Sequence, residues 1–340
     1  MTVKTRHKAT IYDIAQLAGN SPSTVSYALN GTWKQRRIKP ETVEKIKKIA
    51  SENGYQVNLQ ARNLRKATSG LLGMILPEHD TRFFAELSQA FALNVRQREA
   101  CPAIVLSGRG SEGQIESTRS LISYNVDAIV IAGATDPLPL SRICREAKVP
   151  HVFVDHASPD APSVTTDSTK GAQELTRAMF ARADKLRLDP KSQTYFLGGD
   201  AYLPSTRERA LGFTKAASAA HVPILDDRII TCGYSSDSAE RALTELYDAR
   251  GALPSLLFVN SIICFEGVVR FLAQLPEREI ERCVLGCFDY DPFVPLMRFP
   301  VLMMRQRADL LISEAFAKLD SGSSEVSLSY VAPDLIFDRA

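Results

Sequence analysis

Apolar residues recur at helical spacing in three short segments near the start of the chain, predicting helices over 11–18, 22–29 and about 40–53. Thr10 is a candidate N-cap and Gly19 a stop for the first helix, and Ser21 with Pro22 marks the start of the second. The predicted inward-facing residues are Ile11, Ile14, Ala15, Leu17, Ala18, Val25, Ala28, Leu29, Val43, Ile46, Ile49 and Ala50. Two short helices joined by a glycine-containing turn indicate a helix-turn-helix, and the third helix closes a small core around it.

Beyond residue 70 the pattern changes to apolar strands that alternate with helices. The predicted strands are 71–76, 103–107, 128–133, 151–155, 194–199, 256–260 and 283–288. This alternation is typical of parallel sheets covered by helices, so the fold class is α/β. About 270 residues exceed what one such sheet usually needs. We therefore expect two similar lobes, with the chain crossing over after about residue 155 and returning near its end, and a ligand cleft at the carboxyl ends of the strands.

The net charge of +2 conceals a strong division along the chain. Up to Gly70 there are thirteen basic and four acidic residues, a net charge of +9, and the remainder carries −7. A basic head on an acidic body is typical of a polyanion-binding module joined to an independent domain. The polar face of the second helix carries Ser21, Ser23, Thr24, Ser26 and Tyr27. Hydroxyl groups on a helix of this kind can contact phosphates and base edges, which predicts binding of double-stranded DNA.

Other classes are disfavoured by what the chain lacks. No apolar run reaches the roughly 18 residues of a membrane helix, and the first residues lack the apolar core of a signal peptide, so we expect a cytoplasmic protein without a membrane partner. The six cysteines are spaced singly through apolar runs, which favours reduced, buried thiols over disulfides. Cys283 and Cys287 have no neighbouring ligand at metal-binding spacing, and we predict no metal site.

Several segments closely resemble the LacI/GalR family of bacterial repressors. They include TIYDIAQLAG at 10–19, SPSTVSYALNG at 21–31, PETV at 40–43 and NGY at 53–55, and in the body FLGG at 196–199, STRER at 205–209, LGF at 211–213 and FEGV at 265–268. The segment GTWKQRRI at 31–38 and Tyr27 are similar to the branch of sucrose-operon and fructose repressors. The resemblance implies a helix-turn-helix domain at 1–56, a hinge helix and linker at 57–69, and a two-lobed, periplasmic-binding-protein-like body for effector binding and dimerisation at 70–340.

The same resemblance implies a DNA-binding set, a homodimer and a near-palindromic operator. Phosphate contacts are expected from Ser21, Thr24, Ser26 and Asn30, base contacts from Ser23, Tyr27 and Pro22, and a further contact from Thr10. In the hinge segment Leu64 is expected to enter a minor-groove base step, with Asn58 and Ala61 beside it, and a plain linker helix is the alternative. Two positions depart from the family pattern: Asn20 stands where an apolar turn residue is usual, and Tyr27 stands where arginine is commoner.

For the body the resemblance implies a sugar or sugar-phosphate effector, with sucrose, fructose and a fructose phosphate as open alternatives. The expected effector-binding residues are Arg209, Asp289, Asp155, Asn260, Tyr234 and Gln306, together with Phe83 and Phe84 at the cleft mouth. Carboxylates and amides suit vicinal hydroxyls, and an arginine can bridge sugar oxygens or bind a phosphate. We expect Arg207 to face solvent. Inducer and co-repressor roles for the sugar both stay open.

Two other functions compete with this interpretation. Gly108, Gly110 and Gly113 form a G-x-G-x-x-G after a strand, and Asp136 follows at about the distance of a ribose-binding acid, which is the pattern of an NAD-dependent oxidoreductase. Against it, the pattern falls on the second strand of the body, and Arg109 crowds its centre. A non-regulatory sugar-binding protein would explain the body but not the basic head. We therefore predict a DNA-binding regulator, with no catalytic residue and no cofactor.

Overall fold

The computed structural model describes residues 9–55, 68–77, 81–190 and 193–336. The chain divides into two compact units, Met1–Gly70 and Leu71–Ala340. The border between these units falls at the end of the predicted linker. The finer boundary at residue 56 and the hinge helix stay predictions, because residues 56–67 lie outside the described ranges.

The head contains α1 (Ile11–Ala18), α2 (Pro22–Leu29) and α3 (Pro40–Glu52). A capping box starts α1: the Asp13 amide donates to Thr10 Oγ1, and the Thr10 amide donates to Asp13 Oδ2 at 2.7 Å. Gly19 ends α1 with φ at +67°, a conformation that glycine adopts without steric cost. These local signals confirm the predicted helix-turn-helix.

The head core follows the predicted apolar pattern with one error. Its buried residues are Ile14, Ala15, Ala18, Val25, Ala28, Val43, Ile46 and Ala50, and Ile11, Leu29 and Ile49 pack partly buried against them. Leu17 is 56% exposed, so its assignment to the core was wrong. On a helix with 100° per residue it lies roughly 100° from the middle of the buried stripe on α1, and a helix of eight residues buries only that stripe.

The first lobe of the body has a six-stranded parallel sheet in the order β11-β5-β4-β3-β1-β2. Its strands are β1 (Leu71–Leu76), β2 (Cys101–Leu106), β3 (Ala128–Ala132), β4 (His151–Val154), β5 (Ser163–Thr166) and β11 (Leu328–Val331). Its helices are α4 (Arg82–Gln97), α5 (Ser111–Ser123), α6 (Pro137–Glu146) and α12 (Ala308–Asp320). Apolar clusters fill both faces of this sheet, as its nearly continuous apolar strands require.

The second lobe repeats the plan with the order β12-β10-β9-β8-β6-β7. Its strands are β6 (Thr194–Leu197), β7 (Ile229–Ile230), β8 (Leu256–Val259), β9 (Val284–Phe288), β10 (Val301–Arg305) and β12 (Asp334–Ile336), the last antiparallel to β10. Its helices are α7 (Ser168–Lys185), α8 (Pro204–Ala219), α9 (Ser236–Arg250), α10 (Ile262–Leu272) and α11 (Glu277–Ile280). Two apolar clusters cover the faces of this sheet too.

The chain passes between the lobes three times: from β5 to α7, from β10 to α12, and from β11 to β12. The predicted first crossing, after about residue 155, was too early because β5 was not foreseen. The segment Ser163–Thr166 reads SVTT, which lacks an apolar run, although all four residues are buried. The seven predicted strands are confirmed to within two residues at each end. Strands β7, β10, β11 and β12 were not predicted.

The cysteines are free thiols, and most of them follow the prediction. Cys144, Cys264, Cys283 and Cys287 are buried, and burial raises the pKa of the Cys144 and Cys283 thiols to about 12. Cys101 is exposed, which corrects the expectation of burial, because it begins the edge strand β2. None of the described helices has the length and apolar character needed to cross a bilayer.

Candidate DNA-reading head and effector cleft

One side of α2 is open to solvent while the other fills the head core. Ser21 and Ser23 are exposed, whereas Val25 and Ala28 are buried. The remaining predicted contacts on this helix, Pro22, Thr24, Ser26, Tyr27 and Asn30, are half-buried. Helix α2 and its two capping residues thus carry all of the DNA contacts predicted for residues 21–30. Thr10 is exposed at the start of α1, and Asn58, Ala61 and Leu64 lie outside the described residues.

Short polar contacts fix several hydroxyl groups at the ends of α2. The Ser21 and Thr24 hydroxyl oxygens are 2.8 Å apart, and Ser21 Oγ accepts the Thr24 amide as the N-cap. At the other end Asn30 Nδ2 donates to Ser26 Oγ at 3.1 Å. The departure at Asn20 has a local role, since its side-chain Nδ2 donates to the Ala18 carbonyl at 2.9 Å within the turn. These bonds hold the polar face in place before any ligand arrives.

A contact that sequence reasoning missed lies beside this face. The Arg36 guanidinium carbon stands 4.7 Å from the centre of the Tyr27 ring. Arg36 belongs to the segment between α2 and α3. In the sequence, only Tyr27 in place of the commoner arginine and the basic residues of this segment pointed to such a pairing.

A cavity of about 100 Å³ opens at the carboxyl ends of strands from both lobes. Of the predicted effector-binding residues, those that line it are Phe83, Phe84, Asp155, Arg209, Tyr234, Asp289 and Gln306. Residues that were not predicted also line it, including Thr81, Arg109, His156, Asp200 and Ser205. The strand-end rule identified the acids after β4 and β9, but it carries no information on the loops that bring Asp200 and Ser205 to the same place.

Asp289 lies at the centre of a hydrogen-bond chain that joins the two lobes. Its Oδ1 accepts from Gln306 Nε2 at 2.7 Å and its Oδ2 accepts the Ile262 amide at 3.2 Å. Gln306 Oε1 accepts in turn from Thr166 Oγ1 at 2.7 Å. Burial raises the pKa of Asp289, and the nearby Arg209 guanidinium and these hydrogen bonds oppose that rise. A carboxylate has about four acceptor positions, so this one can still accept from ligand hydroxyls.

Arg209 is buried near the start of α8 and held in one orientation. Its Nη1 donates to the Asn260 carbonyl at 2.6 Å, and its guanidinium lies over the Phe288 ring at 4.1 Å from the centre. Asn260 itself is not among the residues that line the cavity, so its effector contact stays a prediction. Its side chain is fully buried with Nδ2 close to Gly199, and Asn260 supports Arg209 through its backbone carbonyl.

Asp155 has a strained backbone, with φ at +74°, and it follows β4 directly. Its neighbour His156 is buried and bonds through Nδ1 to the Ala134 carbonyl at 2.8 Å. Because a carbonyl can only accept, Nδ1 must carry the proton, and Nε2 faces the Asp155 carboxylate at 3.6 Å. Asp289 is also outside the usual region, with φ at +137°. Strain at both acids is typical of residues whose position serves a ligand.

Two contacts cross from one lobe to the other at the cavity. Arg82 Nε on α4 donates to Asp291 Oδ2 at 3.1 Å, just beyond β9. The Arg109 guanidinium lies 5.1 Å from the centre of the Tyr234 ring. Both contacts hold the lobes together over the cavity. Arg207 by contrast is exposed and bonds to the Tyr202 carbonyl, as expected for a residue facing solvent.

The glycine pattern at residues 108–113 has a packing explanation. A Cβ atom on Gly113 would lie 2.2 Å from the Ser107 carbonyl oxygen, so α5 can approach the end of β2 only with glycine there. Gly108 has φ at +71°, and no atom lies within 4 Å of a Cβ placed on Gly110. Since β2 is the edge strand of its sheet, the pattern does not stand at the switch point where dinucleotides bind.

Both units match models of known protein families. Residues 10–58 match the model described as "Bacterial regulatory proteins, lacI family", and residues 69–269 match "Periplasmic binding proteins and sugar binding domain of LacI family". The chain belongs to the LacI family. This LacI-family protein is a DNA-binding transcription regulator that responds to a sugar.

Individual relatives agree with the family. The regulator is 41% identical to the ribitol operon repressor of Klebsiella aerogenes over 192 residues, which covers 56% of this chain and 71% of that protein. It is 32% identical to the sucrose operon repressor of Klebsiella pneumoniae over 276 residues, 78% of each chain. The fold matches the lac repressor dimer bound to operator and the anti-inducer ONPF with a TM-score of 0.80 at 18% identity, covering 97% of this chain and 98% of that one.

Proposed function

We propose that this regulator represses carbohydrate-utilisation genes in the cytoplasm, binding a near-palindromic operator as a homodimer. The observation that carries the proposal is α2, which keeps Ser21 and Ser23 exposed on a head with a net charge of +9. A positive head supplies affinity for the phosphate backbone, and the hydroxyl face supplies contacts that fix register and read bases. The proposal assigns no chemical reaction to the cavity, whose residues are suited to binding hydroxyl groups.

We propose that effector and operator compete through one conformational equilibrium. A sugar that bridges the two lobes changes their relative rotation, and the rotation separates the hinge segments that the dimer must pair on DNA. The site residues proposed for DNA contact are the α2 set and the hinge residues Asn58, Ala61 and Leu64. A coupling of about 1–3 kcal/mol would change operator affinity by about 5- to 150-fold. By reciprocity, operator DNA would weaken sugar binding by the same factor.

The names of two relatives favour a neutral sugar or sugar alcohol as the effector. The ribitol operon repressor is 41% identical to this chain over 192 residues, and the sucrose operon repressor is 32% identical over 276 residues. The higher identity to the first makes a five- or six-carbon polyol our first candidate, ahead of sucrose.

The charges around the cavity favour a neutral ligand over a sugar phosphate. Three carboxylates line it, Asp155, Asp200 and Asp289, against the two guanidinium groups of Arg109 and Arg209. A phosphate ester would add about two negative charges beside these acids, and buried like charges repel strongly. A neutral polyol instead donates hydroxyl protons to the carboxylates and accepts from the arginines. We infer a neutral pentose- or hexose-sized polyol, in line with the relative named for a ribitol operon.

The test uses the full chain and a duplex enriched from a random-sequence pool. Fluorescence anisotropy measures DNA affinity with and without ribitol, fructose, their phosphate esters and sucrose. We expect a neutral single-unit polyol to lower DNA affinity at least fivefold. Asp289→Asn should bind DNA like the wild type and lose the response. Tighter binding of a phosphate ester would reject the neutral ligand, and sugar binding without any effect on DNA would reject the coupling.

A further inference from the structure

The segment between α2 and α3 is a folded turn held against the head. Trp33 and Ile38 pack against the head core, and the Ile38 amide donates to the Trp33 carbonyl at 3.1 Å. The Arg36 amide donates to the same carbonyl at 3.2 Å. With both ends of the turn anchored, the position of Arg36 is set by the fold of the head rather than by chance orientation of a tail.

The contact with Tyr27 places Arg36 beside the exposed face of α2. Tyr27 lies four residues beyond Ser23, so both share the helix face opposite the buried Val25 and Ala28. The Arg36 guanidinium lies over the Tyr27 ring, 4.7 Å from its centre. Within the described part of the chain Arg36 has no carboxylate at ion-pair distance. No carboxylate among the described head residues 9–55 therefore balances its charge.

The stacked geometry suits guanine recognition. A phenol has a single hydroxyl and cannot form the paired contact with guanine O6 and N7 that arginine forms. Stacking occupies the flat face of a guanidinium but leaves its N–H edges, which point in the plane, able to donate. The ring also restricts the rotamers of Arg36, which lowers the entropy that base contact would cost.

We propose that Arg36 reads a guanine in the major groove from the loop, positioned there by Tyr27, and so determines sequence preference. The inference rests on the proposed operator binding and names a residue for it. Its alternative is that Arg36 contacts a phosphate, which would add affinity without preference. Lys34 is the matched control, because it belongs to the same loop and lies over Trp33 at 5.5 Å from the ring centre.

The experiment uses the full-length wild type to enrich duplexes from a random-sequence pool. It then measures the affinity for the most enriched duplex and for variants of that duplex with one base pair changed. We expect Arg36→Ala to abolish the preference for one G·C pair per half-site. The affinity for the most enriched duplex should fall by about 10- to 100-fold, with little change in the affinity for other sequences. Arg36→Lys keeps the charge but replaces the planar guanidinium by a flexible ammonium, and should retain only part of the preference. Tyr27→Phe should retain the preference, and Tyr27→Leu should lose it.

Other outcomes overturn the inference. Equal losses on all duplexes would make Arg36 a phosphate contact, as expected for Lys34→Ala. A guanine preference that survives Arg36→Ala also rejects it, while operator binding and its response to sugar still stand. A wild type without any sequence preference would remove the proposed operator binding and this inference together.

Discussion

The ion pair between Arg82 and Asp291 joins α4 of the first lobe to the loop beyond β9 of the second. The Nε to Oδ2 distance is 3.1 Å, and the side chains are 36% and 24% exposed. Because the two residues belong to different lobes, the pair stabilises only the arrangement in which the lobes approach. We expect Arg82→Ala to weaken effector binding by lowering the population of that arrangement.

The size of the effect follows from how exposed the pair is. Two unit charges 3.1 Å apart attract by about 5 kcal/mol at an effective dielectric constant of about 20. Lost hydration, side-chain entropy and solvent screening reduce exposed pairs to about 0.2–1 kcal/mol, and partial burial places this one in the upper half. The expected change is about 0.5–1 kcal/mol, which is about a two- to fivefold loss of affinity.

Calorimetric titration with the effector identified by the anisotropy panel measures this change in a double-mutant cycle. The cycle compares Arg82→Ala, Asp291→Ala and the double variant with the wild type. The matched control is the pair of Arg98 and Asp320, which are 2.6 Å apart within the first lobe alone. Removing that pair should leave effector affinity unchanged.

Two results would refute the reasoning. If the effects of Arg82→Ala and Asp291→Ala simply add, the pair does not contribute as a pair. If the Arg98→Ala control weakens binding as much as Arg82→Ala, the loss comes from a change in the first lobe itself and not from contact between lobes.

The remaining predictions concern packing, pH and salt. Gly113→Ala should lower the free energy of unfolding by about 1–3 kcal/mol in urea denaturation, because its Cβ meets the Ser107 carbonyl. Gly110→Ala is the control and should change this free energy by less than about 0.5 kcal/mol. Equal effects of the two substitutions would reject the packing explanation. Because the pKa of Asp289 is raised, effector affinity of the wild type should fall on acidification at a higher pH than an ordinary aspartate would cause, and an affinity that falls only in the ordinary aspartate range would contradict this in titrations across pH. DNA affinity should decrease steeply with salt, with a log–log slope of about −0.9 per phosphate contacted, and a flat profile would contradict the basic head as the DNA-binding element.

The head was predictable because its signals are local. The capping residue Thr10 and the left-handed Gly19 are separated by one short helix, and the apolar stripe that they bound points into a core built from the same 50 residues. Only Leu17, at the edge of the stripe, was misplaced. In the body the apolar strands were equally visible, since strands such as β1 and β3 are covered on both faces.

The errors arose where position depends on distant parts of the chain. Strand β5 reads SVTT and is buried only because β4 and β11 pair with it on either side. Asn260 follows a strand as Asp289 does, yet Asn260 is fully buried and does not line the cavity, whereas Asp289 does. The pairing of Arg36 with Tyr27 depends on how Trp33 anchors a loop, which no periodicity reveals.

In the proposed mechanism, effector binding and lobe movement involve the same atoms. Gln306 follows β10, where the chain returns to the first lobe, and it joins Thr166 at the end of β5 to Asp289 at the end of β9. Thr166 precedes the first crossing, so two of the three passages between lobes meet at this amide. A ligand hydroxyl that binds Asp289 would therefore act directly on the connections between the two lobes. Sugar binding is coupled to DNA binding if the contacts of the sugar differ between the two lobe arrangements. No relay through distant residues is needed.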